Sequence, residues 1–386
     1  MFKKLISILL VCTLLGAAAL PTLAATPVLD TVILAPDSLS AQSAILTDGE
    51  GNVLFEKNGY ARMGPASTTK LLTALVVAEA CAPEQTVKIP REAVGIEGSS
   101  VYLCEGEVLT VEQLLYALLL ASANDAATAL ALFCSGSIEA FCNAMNEKAQ
   151  SLGLTDTHCI NPHGLYDEDH YTTAHDLAVM AAALLQSPLL REIVSTYKTT
   201  IPLNGDEGTR VLVNHNKMLR FYDGAIGVKT GFTKKTGRTL VSAAERDGLI
   251  LIAVTLDAPN DWNDHETLLD YGFANFTRIT LFETGVAVGT IPVCGAREDT
   301  VVLCPRESVS AVLPKNMAAP TYTIEATGHF VYAPIPQGQQ IGRATCHVGN
   351  RTWEVTLIAA SDIAQKAVKK TTPWERLFHF FKTDHS

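Results

Sequence analysis

The stretch Pro65-Ala66-Ser67-Thr68-Thr69-Lys70-Leu71-Leu72-Thr73-Ala74-Leu75 decides how the rest of the chain is interpreted. From Ser67 onward apolar residues recur at helical spacing, which predicts a helix that opens at Ser67. Residues three apart share one face of a helix, so the Lys70 amine would lie beside the Ser67 hydroxyl. Taken alone, the pair is also typical of a helix-capping serine with an exposed lysine one turn on.

Two further motifs give this pair a chemical context. Ser122-Ala123-Asn124 interrupts a second helical stretch, and Lys229-Thr230-Gly231 ends a β-type run. A serine hydroxyl becomes a good nucleophile when a base takes its proton, and lysine is such a base only if its pKa is lowered. Burial at the start of an apolar helix and the charge of Lys229 would both lower the pKa of Lys70. We therefore predict Ser67 as nucleophile and Lys70 as general base.

The remaining motif residues suit the same chemistry. Ser122 could relay a proton to a leaving amine, and Asn124 offers an amide to a substrate carbonyl. Lys229 and Thr230 suit a terminal carboxylate, and the strand edge from Lys229 to Thr233 could pair with an extended peptide. Taken alone, the Ser122 motif could instead be a helix break with a capping serine, and the Lys229 motif could be a turn at a strand end. Together the three motifs predict acyl transfer on a peptide.

The pattern of elements predicts an α+β domain. Two short β-type runs flank the turn Asp48–Asn52, a helical middle follows, and strands return from Val211. Such an order closes an antiparallel sheet by pairing the N-terminal hairpin with the C-terminal strands. The predicted helices cover residues from 67, 110–134 with its interruption, 137–152, 173–185 and 264–271, and the predicted strands cover 43–47, 53–56, 225–230, 239–244 and 249–256.

The chain changes character twice after Phe276. Short β-like runs separated by Gly and Pro turns predict a small all-β domain with no helix of ordinary length. The predicted runs cover 286–291, 300–303, 309–313, 321–324 and 351–358. In the tail, Trp374, Leu377, Phe378 and Phe381 share one helical face beside basic residues, which suits an amphipathic helix on a membrane surface. A helix that docks onto the β domain is the alternative.

The N-terminus is typical of a cleaved signal peptide. Lys3 and Lys4 precede the apolar run Leu5–Leu20, and small residues near Ala24 suit signal peptidase, which predicts export. The net charge of −11 becomes −13 when these two lysines are removed. A chain this acidic is a poor candidate for nucleic-acid binding.

Neither the cysteines nor the histidines indicate a metal site. Eight cysteines follow the signal peptide, five in the first domain and three in the second, and disulfides and buried free thiols both remain open. The stretch His158–Asp176 is rich in His, Asp and Glu but lacks the tight spacing of zinc enzymes. We interpret it as a polar loop that borders the cleft, and we expect no metal and no cofactor.

The three motifs together resemble the Ser-x-x-Lys, Ser-x-Asn and Lys-Thr-Gly set of penicillin-recognising serine enzymes. The sequence around these motifs resembles that of the D-alanyl-D-alanine carboxypeptidases, the low-molecular-mass penicillin-binding proteins. The segments that carry this narrower resemblance are 65–75, Glu97-Gly98-Ser99-Ser100, 114–119, Asn161-Pro162-His163-Gly164-Leu165 and 257–262.

The resemblance implies a β-lactamase/transpeptidase-like fold and a defined reaction. The enzyme would release the terminal D-alanine from a peptidoglycan stem pentapeptide through an acyl-enzyme, at the outer face of the bacterial membrane or in the wall, and β-lactams would capture it covalently. The oxyanion would be held by the backbone N–H groups of Ser67 and Phe232. The expected parts are a signal peptide (1–24), a catalytic domain (25–275), a small β-rich domain (276–362) and a membrane-surface tail (363–386).

The sequence departs from the family motifs at two positions, and two alternative functions must be weighed. Ala123 stands where many relatives have Gly, and Phe232 stands where some have His, which leaves leaving-group and β-lactam preference open. A class A β-lactamase shares the motifs but needs a Glu-x-x-Leu-Asn segment, and none occurs between Asn124 and Lys229. A non-catalytic wall-binding or sensor module would be expected to lose one of the motif residues, and here they are intact.

Overall fold

The computed structural model describes residues 33–204, 208–317 and 319–367. The predicted signal peptide and nearly all of the predicted tail lie outside these residues.

A five-stranded antiparallel sheet forms the first layer of the α+β region. Strand β1 pairs with β2 on one side and with β9 on the other, so the strand order is β2-β1-β9-β8-β7. The predicted closure of the sheet by the N-terminal hairpin is therefore confirmed. The strands of this region are β1 Ser43–Asp48, β2 Val53–Lys57, β3 Thr86–Lys88, β4 Val108–Thr110, β5 Lys198–Pro202, β6 Thr209–Val213, β7 Ala225–Thr233, β8 Gly237–Arg246 and β9 Leu249–Leu256.

Helices supply the second layer, and local sequence signals explain their ends. A capping box between Thr110 and Gln113 starts α2, the Thr173 hydroxyl caps α5, and α3 ends at Gly136 in the left-handed conformation. The helices are α1 Lys70–Ala80, α2 Val111–Leu119, α3 Asn124–Ser135, α4 Ile138–Ser151, α5 Ala174–Gln186, α6 Pro188–Ser195, α7 Met218–Phe221 and α8 Asp261–Asn275.

The helix predicted from Ser67 begins later than expected. Residues Ala66–Thr69 form a 3₁₀ turn, and the α-helix starts at Lys70. The hydroxyls of Thr68 and Thr69 donate to the carbonyls of Pro65 and Ala66, which holds the backbone in the tighter turn.

The β-rich region forms a second sheet with its own core. Its strand order is β14-β16-β17-β12-β11-β15, while β10 pairs with β13. No helix occurs among its described residues, as predicted. The strands are β10 Phe276–Phe282, β11 Gly289–Cys294, β12 Thr300–Pro305, β13 Val309–Pro314, β14 Thr321–Ala326, β15 Val331–Tyr332, β16 Gln340–Val348 and β17 Arg351–Ala359.

Buried side chains form one large cluster and two smaller ones. The large cluster joins α1 to α6 with the inner face of the first sheet. A second cluster fills the β-rich region, and a third packs α8 against the other face of the first sheet and includes Val312 of β13. Within the described residues no single helix meets the length and hydropathy criteria for a membrane span, although two bent helix pairs, α3 with α4 and α5 with α6, meet them together.

Candidate active site

Lys70 lies at the centre of the motif residues. Its side chain is fully buried, and its Nζ lies 3.1 Å from Ser67 Oγ and 2.6 Å from Asn124 Oδ1. The third contact, at 2.7 Å, is with the backbone oxygen of His163. The structure therefore brings together the residues of the first two motifs around one amine.

These contacts are those of a neutral amine as well as of an ammonium. Asn124 Oδ1 and the His163 carbonyl can only accept hydrogen bonds, so they take two N–H groups of Lys70. The longer contact is with a hydroxyl, which can donate to the remaining lone pair. Burial, and then the charge of Lys229, hold the pKa of Lys70 well below its ordinary value, against a smaller opposing effect of Asp125.

The turn that presents Ser67 is braced from both sides. Ala66 has a left-handed φ of 49°, and Gly164 comes so close that a Cβ there would lie 1.8 Å from the Ala66 oxygen. His170 Nε2 lies 2.9 Å from Thr69 Oγ1, and its Nδ1 accepts a hydrogen bond from the backbone of Ile160. The Nε2 of His170 therefore carries the proton and donates to Thr69, which holds the turn that carries Ser67.

Ser122 and Lys229 form the second half of the site. Lys229 Nζ donates to Ser122 Oγ at 2.9 Å and to the Thr230 carbonyl at 2.8 Å, and the lysine is buried. Ser122 has a φ of 60°, so the helix break predicted at this motif is a left-handed residue between α2 and α3. Burial lowers the pKa of Lys229 to about 7.

Strand β7 passes against the backbone of Ser67. A Cβ on Gly231 would lie 3.0 Å from the Ser67 nitrogen and 2.3 Å from Thr239 Oγ1, so only glycine allows this approach. The next residue, Phe232, is 63% exposed, which leaves its ring at the open side of the cleft. The third motif, on the edge strand β7, therefore lies directly against the first motif at Ser67.

A cavity of about 790 Å³ contains this site. Five predicted site residues line it, and the other three are buried beside it: Lys70 contacts Ser67, Lys229 contacts Ser122, and Asn124 contacts Lys70. The five are Ser67, Ser122, Thr230, Gly231 and Phe232. All eight predicted site residues therefore belong to one locus.

Sequence reasoning missed the far end of the cavity. Arg238 forms an ion pair with Asp261 at 3.0 Å, and the Trp262 ring has Arg238 and Lys217 at 6.0 and 5.9 Å from its centroid. Arg220 also lines the cavity. This end carries more positive than negative charge and suits an anionic group. Two of these residues, Asp261 and Trp262, lie in the segment 257–262 that carries the family resemblance, so this segment was the available sequence signal.

Sequence reasoning also missed the backbone carbonyls that hold Asn124, whose side chain in turn contacts Lys70. Asn124 Nδ2 donates to the Glu97 carbonyl at 2.6 Å, and the Asn124 nitrogen donates to the Ser99 carbonyl at 2.7 Å. The neighbouring Asp125 accepts from Ser100 Oγ and holds the same loop.

The His-rich stretch serves the site through hydrogen bonds. It contributes the His163 carbonyl and the His170 ring described above, while His158 Nδ1 lies 2.6 Å from the Asp169 carbonyl and His175 Nδ1 lies 3.2 Å from Asp176 Oδ1. Among residues 33–204, 208–317 and 319–367, no cluster of three or more His, Cys, Asp or Glu is arranged to hold a metal.

Comparison with known proteins gives concordant matches. Residues 30–260 match the family model described as D-alanyl-D-alanine carboxypeptidase, and residues 276–365 match that of the penicillin-binding protein 5 C-terminal domain. The D-alanyl-D-alanine carboxypeptidase DacF of Bacillus subtilis is 33% identical over 85% of this chain and 86% of its own.

Two solved structures are similar over most of the chain. Penicillin-binding protein 5 of Haemophilus influenzae has a TM-score of 0.70 at 27% identity and covers 86% of this chain and 100% of its own. The Streptococcus pneumoniae structure described as a peptidoglycan synthesis regulatory factor (PBP3) has a TM-score of 0.72 at 26% identity, over 84% and 99%.

Proposed function

The chain belongs to the D-alanyl-D-alanine carboxypeptidase family, and from that premise we propose that it removes the terminal D-alanine of peptidoglycan stem pentapeptides through an acyl-enzyme on Ser67. The family consists of serine-type penicillin-binding proteins that act on peptidoglycan peptides and are sensitive to β-lactams. The observation that carries the proposal is the buried Lys70 amine, 3.1 Å from the Ser67 hydroxyl.

Acylation begins with proton transfer from Ser67 to Lys70. The amine is kept neutral by burial and by the charge of Lys229, and its two N–H groups are already committed to Asn124 and His163. Its lone pair is thus directed to the hydroxyl, and Ser67 Oγ attacks the carbonyl of the penultimate D-alanine. The backbone N–H groups of Ser67 and Phe232 receive the developing oxyanion.

Ser122 returns the proton to the leaving group. Its hydroxyl accepts a hydrogen bond from Lys229, so its own proton is free to pass to the departing D-alanine nitrogen. Ser122 regains a proton from the protonated Lys70, which returns that amine to its neutral form. Water then hydrolyses the ester on Ser67 and regenerates the hydroxyl. No metal or cofactor takes part in this sequence of steps.

Lys229, Thr230 and Gly231 supply the binding of the substrate terminus. The charge of Lys229 and the Thr230 hydroxyl suit the terminal carboxylate, and the β7 edge from Lys229 to Thr233 pairs with the extended peptide. One N–H of the Asn124 amide is used by Glu97, and the other remains for a substrate carbonyl.

A β-lactam opened by Ser67 should leave slowly. Within the described residues the only carboxylate that lines the cavity is Asp261, and it is bound to Arg238. No lining glutamate is present there to activate water against the penicilloyl ester. This favours a carboxypeptidase that penicillin inhibits over a β-lactamase.

The decisive experiment is release of D-alanine from a diacyl-Lys-D-Ala-D-Ala peptide by the wild type and by Ser67→Ala. We expect release by the wild type and loss of activity in the variant by at least about 1,000-fold. Ser151→Ala, a surface serine on α4, is the control and should match the wild type. Equal release by Ser67→Ala, or penicillin labelling of a residue other than Ser67, would refute the mechanism.

Export and membrane attachment belong to this proposal. Members of the family are periplasmic or associated with the cell wall. We place the mature chain at the outer face of the membrane, with residues 1–24 removed, 25–275 as the catalytic domain, 276–362 as the β-rich domain and 363–386 on the membrane surface. Mass spectrometry of the exported protein would check the cleavage site, and flotation with vesicles, with and without residues 363–386, would check the tail.

A further inference from the structure

Cys81 and Cys134 lie at the far ends of the two helices that hold the catalytic groups. Cys81 is the residue that follows α1, and Cys134 lies in the last turn of α3. At their N-terminal ends the same helices are joined by the hydrogen bond from Lys70 to Asn124. The two cysteines are therefore placed to join the helices a second time, away from the cleft.

The two sulfur atoms are only 2.7 Å apart. Non-bonded atoms of similar size meet at about 3.5–4.0 Å, whereas bonded sulfurs are separated by about 2.05 Å. The observed separation falls between these values, so the two sulfurs lie closer than a non-bonded contact and near the distance of a disulfide bond. Among the eight described cysteines, no other pair has its sulfurs in contact.

We propose that Cys81 and Cys134 form a disulfide bond in the mature protein. The bond would join the C-terminal ends of α1 and α3 covalently and so hold the Ser67 turn and Asn124 in one rigid arrangement. Both side chains are partly exposed, which gives an oxidant access. The proposal rests on the proposed export, since disulfides persist in oxidising compartments, but it does not depend on the substrate or the reaction.

The chemistry is exchange with an external disulfide, either a low-molecular-mass disulfide or an oxidised dithiol protein. The thiolate of Cys81 attacks one sulfur of this oxidant and expels a thiolate, which leaves a mixed disulfide. Cys134 then attacks the Cys81 sulfur and expels the second thiolate. The two protein thiols lose two electrons and two protons, and the oxidant is reduced to two thiols.

The other cysteines lack this arrangement. Cys142 and Cys159 are buried in the same region, and burial, with a smaller effect of Cys142, raises the pKa of Cys159 to about 12. Cys104 and Cys294 are exposed, in different regions of the fold. These cysteines are expected to stay reduced and serve as internal controls.

The test is peptide mapping of the full chain, purified without reductant and alkylated before digestion. We expect a cross-linked pair of peptides that contains Cys81 and Cys134, lighter than their sum by two hydrogen atoms, and two fewer alkylated cysteines than in a reduced sample. Alkylation of all the cysteines, or a link between another pair such as Cys142 and Cys159, would overturn the proposal.

Thermal unfolding gives a second readout. Reductant should lower the apparent unfolding midpoint of the wild type by several degrees, should have no such effect on Cys81→Ser or Cys134→Ser, and should keep its full effect on Cys104→Ser. If reductant affects the wild type and Cys81→Ser equally, the bond does not exist. The mapping uses only the wild type, so poor folding of a variant leaves the test intact.

Discussion

At Gly231, strand β7 packs closely against the turn that carries Ser67. A methyl group there would lie 2.3 Å from Thr239 Oγ1 and 3.0 Å from the Ser67 nitrogen. We predict that Gly231→Ala lowers kcat/KM and the rate of acylation by penicillin by roughly 100-fold or more, because the strand can move away only by displacing the oxyanion site. Stability should fall by about 1–3 kcal/mol from overpacking. Both are measured by penicillin acylation kinetics and urea unfolding.

Gly289 provides the matched control. It also lies in a strand, β11, but a methyl group there would have only Ile324 within 4 Å, at 3.4 Å. Gly289→Ala should leave both kinetics and stability nearly unchanged. A Gly231→Ala enzyme with wild-type acylation kinetics would show that the close approach does not matter for reactivity.

The charge of Lys229 should set the high-pH limit of activity. Burial lowers its pKa to about 7, so the free enzyme loses this positive charge as the pH rises through that value. We predict that kcat/KM for the peptide falls above about pH 7, while a bound carboxylate delays the fall in kcat. Lys229→Arg, which keeps its charge, should move the limit upward.

The pH profile of kcat/KM for both enzymes is the measurement. The low-pH limit depends on Lys70 and should stay below the ordinary lysine range in both, because burial lowers its pKa regardless. An identical high-pH limit in wild type and Lys229→Arg would assign that limit to another group.

At the scale of residues, the sequence identified side chains but not their backbone partners. Ser67, Lys70 and Lys229 could be predicted because only certain side chains perform this chemistry. The His163 carbonyl that orients Lys70 could not, because every residue has a carbonyl and its direction is set by tertiary packing. The cationic end at Arg238 was missed because the neighbouring strand β8 contributes it, where Arg238 pairs with Phe232 of the motif strand.

Among the elements, the β5–β6 hairpin is tied to the rest of the α+β region by a buried ion pair. Arg210 of β6 binds both oxygens of Glu107, with 2.8 Å between Nη2 and Oε2, and also donates to the Val101 and Tyr102 carbonyls. Both side chains are almost fully buried. Burial alone would raise the pKa of Glu107, but the bonds from Arg210 and two backbone N–H groups lower it.

Removal of one partner should therefore be costly. We predict that Arg210→Met lowers the free energy of unfolding by about 3–5 kcal/mol, because Glu107 is left buried without its counter-charge. The double variant Glu107→Leu with Arg210→Met should recover much of the loss. Urea unfolding measures each.

The exposed pair Arg343–Glu354, at 2.9 Å, is the control for this ion pair. Arg343→Met should cost no more than about 1 kcal/mol, because solvent screens the pair. If Arg210→Met and Arg343→Met lower the free energy of unfolding equally, burial of the Arg210–Glu107 pair does not increase its importance for stability.

Element boundaries were predictable where one local signal dominates. The hairpin at Asp48 and the helix break at Ser122 have such signals, and both are present. Strand β16 was missed, because its two faces are covered unequally and Gly342 interrupts its pattern. Strand β10 was missed because it continues directly from the end of α8, with no turn residue between them.

For the molecule as a whole, three histidines make stability sensitive to acid: His170 and His265 are buried, and His163 is partly buried. Burial lowers the pKa of His163 to about 3, of His170 to about 4 and of His265 to about 3, so all three stay neutral in the folded protein. Below about pH 6.5 the unfolded chain binds protons that the folded protein does not. We predict a loss of stability from pH 6.5 towards pH 4, on the order of 1 kcal/mol per pH unit for each histidine.

Urea unfolding at several pH values measures this slope. His347→Gln, a change at an exposed position in β16, should leave it unchanged, whereas His170→Gln should reduce it. Stability that is constant between pH 6.5 and 5 would contradict the prediction.

Pairing of β1 with β9 also sets the order in which reactivity can arise during synthesis. The central sheet is complete only when Leu256 is available, because β9 lies between β1 and β8. Contacts so distant along the chain form late. Because synthesis starts at the N-terminus, Ser67 is made before strand β7, which bears Lys229 and Gly231. Under the proposed function, we therefore expect a chain that ends before Leu256 not to react with penicillin.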